Sequence, residues 1–514
     1  MKIKVSIIYS ISLMIVITVL LCSCCCSAIW GDIVEPEPTS CGDHTDDDAN
    51  DYCDECGAYV VVVVDFYNIN DLHGKFDDTD SQPGVDELTT YLKNAKLTDD
   101  YTVFLSSGDM WQGSSESNLT KGKIITDWMN EMGFVSMTLG NHEFDWGEEY
   151  IAANESFANF PLLAINVYDN DTNERVEYAS PSVMIECGDV KIGIIGAIGD
   201  CYSSIAPDKV EDIYFKVGDE LTALVKAESD MLRASGADFI VYSLHDGMES
   251  SISSVNQVSG NKISSYYDVV LSEGYVDLVF EAHTHKNYVV YDRSGVYHLQ
   301  GGGDNKGITH TEVAINYVND SFEMNTAEYV TTNKYTALND DEIVERLLEK
   351  YADEVSVANR VVGYNQSYMS SDALCDLAAK LYYEAGLGKW GKQYNIVLGG
   401  GFLKARSPYS LQSGEVTYGD LQSIFPFDNQ LVLCSVKGKD LSSKFLNTSN
   451  SDYHIYCGQY GSSIKNSIDP DATYYIIVDS YTSTYAPNKL TEIERFEDGI
   501  YARDLIAAYF EELN

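Results

Sequence analysis

From Tyr59 to Phe280 the chain alternates short, β-branched apolar runs with amphipathic stretches, and the runs end abruptly at polar residues. Tyr59 to Val64, Thr102 to Leu105, Val135 to Leu139, Leu162 to Val167, Val190 to Ile198, Phe239 to Leu244 and Val276 to Phe280 are short for helices and are expected as buried strands. Between them Asp86 to Ala95, Lys123 to Met132 and Val217 to Ala234 carry helical spacing. This rhythm specifies an α/β layered domain, and loops at strand ends are where its ligands belong. Residues Asp340 to Ala358, with Ile343, Leu347, Leu348 and Tyr351 on one face, are expected as a single connecting helix. A second α/β segment follows, with a helix from about Asp372 to Ala385, strands at Tyr394 to Leu398, Gln430 to Val436 and Tyr474 to Val478, and a closing helix from Ala502 to Glu512. A chain of 514 residues is too long for one ordinary core, which agrees with two domains.

Acidic residues outnumber basic ones by 80 to 33, a formal charge of −47. That balance argues against nucleic acid as a partner, because binding its phosphates needs basic patches. Lys2 and Lys4, an apolar run from about Val5 to Leu21, and the cluster Cys22-Ser23-Cys24-Cys25-Cys26 read as a secretory signal. Leu21-Cys22-Ser23-Cys24 resembles a bacterial lipobox, with Cys24 as the lipidated residue. The remainder is then expected outside the cytoplasm, held to the membrane only by its lipid anchor. A plain transmembrane anchor is the alternative. Of the twelve cysteines, four lie in the signal and three just after it, while Cys187, Cys201, Cys375, Cys434 and Cys457 are scattered, which is no disulfide framework.

Residues 27 to 58, with Pro36, Pro38 and many acids, read as a tether. Within it Cys41, His44, Cys53 and Cys56 form a C-x2-H…C-x2-C arrangement, four soft ligands at a spacing suited to a tetrahedral zinc site. Asp46, Asp47, Asp48 and Asp51 between them offer calcium as an alternative, and an unliganded tether with one disulfide is the bland reading.

The strand ends carry the chemistry. Asp71 and His73 stand after the first run, Asp109 beyond Leu105, Asn141 and His142 after Leu139, His245 after Leu244, and His283 and His285 after Phe280. A single histidine there is more often structural, but five at strand ends point to one site. Imidazole, carboxylate and amide oxygen together suit zinc, manganese and similar divalent ions rather than calcium, and a bridging Asp between two ligand sets implies two ions.

Asp71-Leu72-His73, Gly108-Asp109, Gly140-Asn141-His142-Glu143, His245 and His283-Thr284-His285 resemble, in order, the five blocks of the metallophosphoesterase superfamily. Gly140-Asn141-His142-Glu143-Phe144-Asp145 is similar to its 5′-nucleotidase branch, with surface 5′-nucleotidase and cyclic phosphodiesterase activities. The resemblance implies a layered α/β/β/α catalytic domain over 59–338, after a signal (1–24) and an acidic tether (25–58), then a connecting helix (339–358) and a 5′-nucleotidase-like substrate domain (359–514). It implies Asp71, His73, Asp109 and His285 around one ion and Asp109, Asn141, His245 and His283 around the other. The branch commonly has glutamine where His285 stands, and histidine is usual elsewhere in the superfamily. His142 is implied as the catalytic histidine, which Asp145, three residues on, is placed to orient.

Thr417 to Leu421 and Phe425 to Asn429 are similar to the substrate domain of that branch, as is Gly399-Gly400-Gly401. There the family carries Asn before the glycines and Arg after them, and this chain has Leu398 and Leu403. Leucine cannot replace a charged bidentate contact, so Arg406 or Lys404 is the candidate substitute. Phe427, with Tyr481 or Tyr485 opposite, is the candidate clamp for a planar base. The expected activity is hydrolysis of nucleotide phosphomonoesters by metal-activated water. The alternatives are a 2′,3′-cyclic phosphodiesterase or 3′-nucleotidase, a hydrolase of another phosphorylated small molecule, and a surface interaction protein without turnover.

Overall fold

The structure, a computed structural model, describes residues 44–76, 83–248, 274–335, 338, 341–406, 408–447, 449–485, 490–496 and 500–513. In chain order its first strands are β1 (Val61–Ile69), β2 (Thr102–Ser106), β3 (Ser136–Thr138), β4 (Leu162–Leu163), β5 (Val167–Asp169), β6 (Ser182–Cys187) and β7 (Val190–Ile198). They continue with β8 (Ile213–Phe215), β9 (Phe239–His245), β10 (Leu278–Phe280), β11 (Tyr288–Tyr291), β12 (Tyr297–Gln300), β13 (Gly307–Asn316) and β14 (Ser321–Thr331). Two six-stranded sheets result, ordered β14-β13-β1-β2-β3-β4 and β11-β12-β10-β9-β7-β6, and β5 pairs with β8 in a separate ribbon.

Strands β1 to β4 run parallel, as do β7, β9, β10 and β12. Every residue of β9 is buried, as a parallel strand covered on both faces requires. The sheets pack face to face: Phe66 stacks on Phe239 at 6.1 Å, and Ser107 and Thr138 of one sheet hydrogen-bond Ser243 of the other. Helices α1 (Asp86–Thr98) and α2 (Lys123–Met132) cover the first sheet; α2 buries Ile124, Ile125, Trp128, Met129 and Met132, an apolar stripe at helical spacing. Gly133, left-handed at φ +78, ends it. Helix α3 (Asp219–Ala234) packs on the second sheet through Leu221, Val225 and Leu232.

The stretch expected as one connecting helix is broken. Helix α4 (Glu342–Lys350), capped by the Asp341 carboxylate on the Ile343 N–H at 2.9 Å, stops at Tyr351, and two single turns, Ala352–Val355 and Ser356–Asn359, follow. Tyr351 is buried with its hydroxyl on Asp127, and Lys350 pairs with the same carboxylate, so anchoring against α2 wins over helix continuation. The expected run Leu162 to Val167 likewise divides into β4 and β5, because Ala164 and Ile165 bond to Ser180 and Gly196 instead of continuing one ladder.

The second segment contains β15 (Val361–Asn365), α5 (Ser371–Trp390), β16 (Ile396–Phe402), β17 (Gly414–Thr417), α6 (Tyr418–Ile424), β18 (Leu431–Lys437), β19 (Tyr453–Tyr456), β20 (Thr473–Asp479), α7 (Ser480–Tyr485), β21 (Leu490–Arg495) and α8 (Ala502–Leu513). Its sheet is ordered β19-β16-β20-β18-β21, with α5 and α8 packed over it. Thr417 and Asp420 form a reciprocal capping box that starts α6.

Residues Val62–Ile315 and Phe322–Asn514 form one compact unit. Residues 44–61 and Asn316–Ser321 belong to a second. The acidic stretch after His44 is therefore more than the solvated string its composition suggested: Asp46 is buried, and Tyr52 and Tyr59 make an antiparallel bridge.

Candidate metal and active site

Asp71 and His73 follow β1, Asp109 follows β2, Asn141 and His142 follow β3, His245 closes β9, and His283 and His285 follow β10. All five strands deliver their polar residues at C-terminal ends, and parallel pairing puts those ends together. Ligand atoms of Asp71, His73 and His285 lie within 4.8 Å of one another, as do those of Asp71, Asp109 and His245. His245 Nε2 is 3.2 Å from both Asp109 Oδ2 and Asn141 Oδ1, and His283 Nδ1 is 2.8 Å from the same amide oxygen. His73 Nε2 faces His285 Nε2 at 3.0 Å, and the latter is 3.5 Å from Asp71 Oδ1.

The outer hydrogen bonds fix which nitrogens look inward. His73 Nδ1 donates to the Gln112 carbonyl at 2.9 Å and His245 Nδ1 donates to the Ser107 carbonyl at 2.7 Å. A carbonyl only accepts, so in the neutral rings both Nε2 atoms turn a lone pair toward the cluster. Lone pairs and carboxylate oxygens converging in a buried space call for positive charge. Burial pushes the Asp71 carboxyl up, against the pull of His285 and His245, whereas for Asp109 the nearby His245 and His142 outweigh burial and hold it well below the usual range. Burial, then His285, pushes His73 well down. Burial also opposes charge on His245, yet the Asp109 carboxylate beside it lifts that imidazole to about 10.

Asp71, His73, Asp109, His283 and His285 all have left-handed backbones, with φ between 51° and 68°. Each costs a non-glycine residue about 1–2 kcal/mol, which surrounding structure must hold in place. Glu143 does part of this, accepting N–H bonds from Gly140 at 2.7 Å, Asp109 at 2.9 Å, Met110 at 2.9 Å and Trp111 at 3.2 Å. Gly140 is required by crowding: a Cβ there would overlap the Asp109 carboxylate.

His142 Nδ1 bonds Asp145 Oδ2 at 2.7 Å, and its backbone N–H donates to Asp109 Oδ1 at 2.8 Å. Burial lowers its pKa, but Asp145 and Asp109 together keep it above the ordinary histidine value. Beside it opens a cavity of about 250 Å³, lined by Asn141, His142, His283 and His285 on one side and by Phe402, Arg406, Phe427 and Tyr481 on the other. Phe427 stacks on His142 at 5.8 Å, and the Arg406 guanidinium lies 5.1 Å over the Phe427 ring. Tyr481 packs against Phe402 at 5.7 Å. Among the described residues the buried Nε of Arg406 has no hydrogen-bond partner. Leu403 is a core residue of the second segment, and Lys404 is half-exposed with Asp452 at 3.9 Å.

Sequence reasoning overlooked Arg503. It lies buried on the apolar side of α8, beside Ile506, Ala507 and Phe510, and donates to the Phe427 carbonyl at 3.0 Å and to the Asp428 carboxylate. It thereby holds the loop that carries Phe427. An arginine on an otherwise apolar helix face was the available signal. Tyr485 closes α7, and its side chain lies outside the described residues, as do Cys24 and Cys41 entirely. His44, Cys53 and Cys56 come together within the smaller unit.

Residues 65–287 match the calcineurin-like phosphoesterase family, and residues 361–488 match the C-terminal domain of 5′-nucleotidases. The chain thus belongs to the calcineurin-like phosphoesterases with a 5′-nucleotidase C-terminal domain, and is a metal-dependent phosphoesterase. Similar proteins include endonuclease YhcR of Bacillus subtilis, 26% identical over 82% of this chain. The chain spans only 37% of that protein's length. Protein UshA of Yersinia enterocolitica is 24% identical, covering 74% of this chain and 75% of its own. A 5′-nucleotidase precursor from Thermus thermophilus shares the fold, with a TM-score of 0.64 at 18% identity, covering 88% of this chain and 97% of that one.

Proposed function

We propose that the protein hydrolyses phosphate monoesters of nucleotides outside the cytoplasm, with Asp71, His73, Asp109 and His285 holding one divalent ion and Asp109, Asn141, His245 and His283 a second. The observation that carries this reading is the convergence of inward-facing imidazole lone pairs and buried carboxylates beside a cavity with an aromatic ring and an arginine on its far wall. The donor set fits zinc or manganese, since it combines nitrogen and oxygen ligands whose outer hydrogen bonds already fix the rings. Such ions, when bound, supply positive charge at phosphate oxygens and a nucleophilic water at neutral pH.

The chain's own residues do the rest. Asp145 keeps the His142 proton on Nδ1 and the ring aligned, so a protonated His142 has Nε2–H to give to the leaving oxygen. Arg406, which lines the cavity, takes the place of the arginine absent at Leu403 and binds phosphate or ribose oxygens through its guanidinium. Phe427, held by Arg503, offers a face for a base, and Tyr481 lines the same cavity. The charge of −47 works against a polyanionic chain as substrate, whatever the endonuclease relative cleaves. The basic, apolar and cysteine-ending N-terminus supports export and lipidation at Cys24. Among the described residues no helix is long and apolar enough to cross a membrane.

Phosphate release from 5′-, 3′- and 2′,3′-cyclic nucleotides and from sugar nucleotides, with and without chelator, tests the proposal. Chelator-sensitive release from 5′-mononucleotides is expected. Turnover of cyclic nucleotides alone would replace the substrate, and no release from any of them would overturn the reading.

A further inference from the structure

His44, Cys53 and Cys56 bring three ligand atoms within 4.8 Å of one another, in a unit separate from the strand-end site. Nδ1 of His44 is 3.5 Å from Cys56 Sγ. In a tetrahedron with zinc–sulfur near 2.3 Å and zinc–nitrogen near 2.0 Å, that edge measures about 3.5 Å. The local fold is built around the sulfur of Cys53, which is 3% exposed. Backbone N–H groups of Cys56, Thr45 and Glu55 are directed at it, and the chain reverses over Cys53-Asp54-Glu55-Cys56-Gly57, closed by the Gly57 N–H on the Cys53 carbonyl at 2.8 Å. Gly57 is left-handed at φ +69, which favours glycine after the second cysteine. N–H groups aimed at a sulfur stabilise the thiolate, and the thiolate is the form that ligates metal.

Of the intervening acids, Asp46, Asp51 and Asp54 are already committed. Asp46 accepts from the Asn50 N–H at 2.9 Å, the Asp51 N–H at 3.2 Å and the Asn316 side chain at 2.9 Å, and Asp51 accepts from Asn316 at 3.2 Å. Asp54 accepts from the Asp47 N–H at 2.6 Å. These carboxylates shape the loop instead of facing a common hard cation.

We propose that His44, Cys53 and Cys56 bind a structural zinc ion distinct from the metals of the phosphoesterase site. The zinc fastens residues 44–61 into a folded module. Without it these residues, with few apolar side chains, have little to hold them folded.

Full-length protein, stripped by chelator under reducing conditions and reloaded with cobalt(II), tests this. A thiolate-to-cobalt charge-transfer band is expected in the near ultraviolet, lost in Cys53→Ser and in Cys56→Ser and retained in Cys201→Ser, whose thiol lies near His245 and His283. Bound zinc should fall by one equivalent per chain in both tether variants. Limited proteolysis of the unmodified protein should cut within residues 44–58 only after zinc removal. Absence of the band in the unmodified protein, its loss only in Cys201→Ser, displacement by calcium, or isolation with Cys53 and Cys56 in disulfides and no zinc at this site would each overturn the proposal.

Discussion

His142 meets three demands within one residue: its backbone N–H binds Asp109, its Nδ1 binds Asp145, and its ring face supports Phe427. Replacing it with alanine is expected to lower kcat by about 10²–10⁴ with metal content retained, since positioned acid–base groups contribute on that scale. Metal analysis beside steady-state kinetics checks it, and an unchanged kcat would remove His142 from the chemistry. Arg406 belongs to the same scale but to binding. Arg406→Ala should raise KM for mononucleotides about tenfold or more, because a charged hydrogen bond contributes about 1.5–3 kcal/mol. If KM for a nucleotide stays the same, another group replaces the missing arginine.

Strands bring the ligands to one end, and the edges of the sheet hold the strands. His310 of β13 illustrates how: its Nε2 bonds Asp65 of β1 at 2.7 Å, its Nδ1 is 3.3 Å from Glu328 of β14, and its ring stacks on Tyr67 at 4.4 Å. Burial lowers the pKa of this imidazole, but the two carboxylate hydrogen bonds outweigh it and raise the folded value above 6.5. A raised folded pKa means the protonated pair stabilises fully below the unfolded value and loses that contribution as pH climbs through the folded one. His310→Gln should therefore lose about 1–2 kcal/mol near pH 6 and much less near pH 9. Thermal unfolding of both proteins across that range checks the sign, and a penalty that grows with pH would contradict it.

At the scale of the whole molecule, Asp428 connects the two segments that line the cavity. Its carboxylate accepts from Lys121 at 2.7 Å and pairs with the buried Arg503, which also holds the Phe427 carbonyl. Asp428→Asn leaves Arg503 without its anionic partner, and should reduce stability by about 3 kcal/mol and raise KM for nucleotides through a loosened Phe427 loop. A lowered Tm with nucleotide KM unchanged would confine Asp428 to folding.

The chain by itself determined the alternation of strands and helices, and with it the strand-end positions of Asp71, Asp109, Asn141, His142, His245, His283 and His285, because apolar runs and the polar residues that stop them are local. It also displayed His44, Cys53 and Cys56 at chelating spacing. What it left undecided depended on partners distant in sequence. The break at Tyr351 follows from a hydroxyl docking on Asp127, more than two hundred residues away in sequence, and overrides helical periodicity. Leu403, which as a sequence position looked like a lost contact, is packed in a core and borders the cavity with an apolar side chain, while Arg406 three residues later brings a guanidinium to the same cavity. Only the tertiary structure decided that Glu143 binds the loops of two strands and that Arg503 supports Phe427, because a buried polar group is placed by the groups it satisfies.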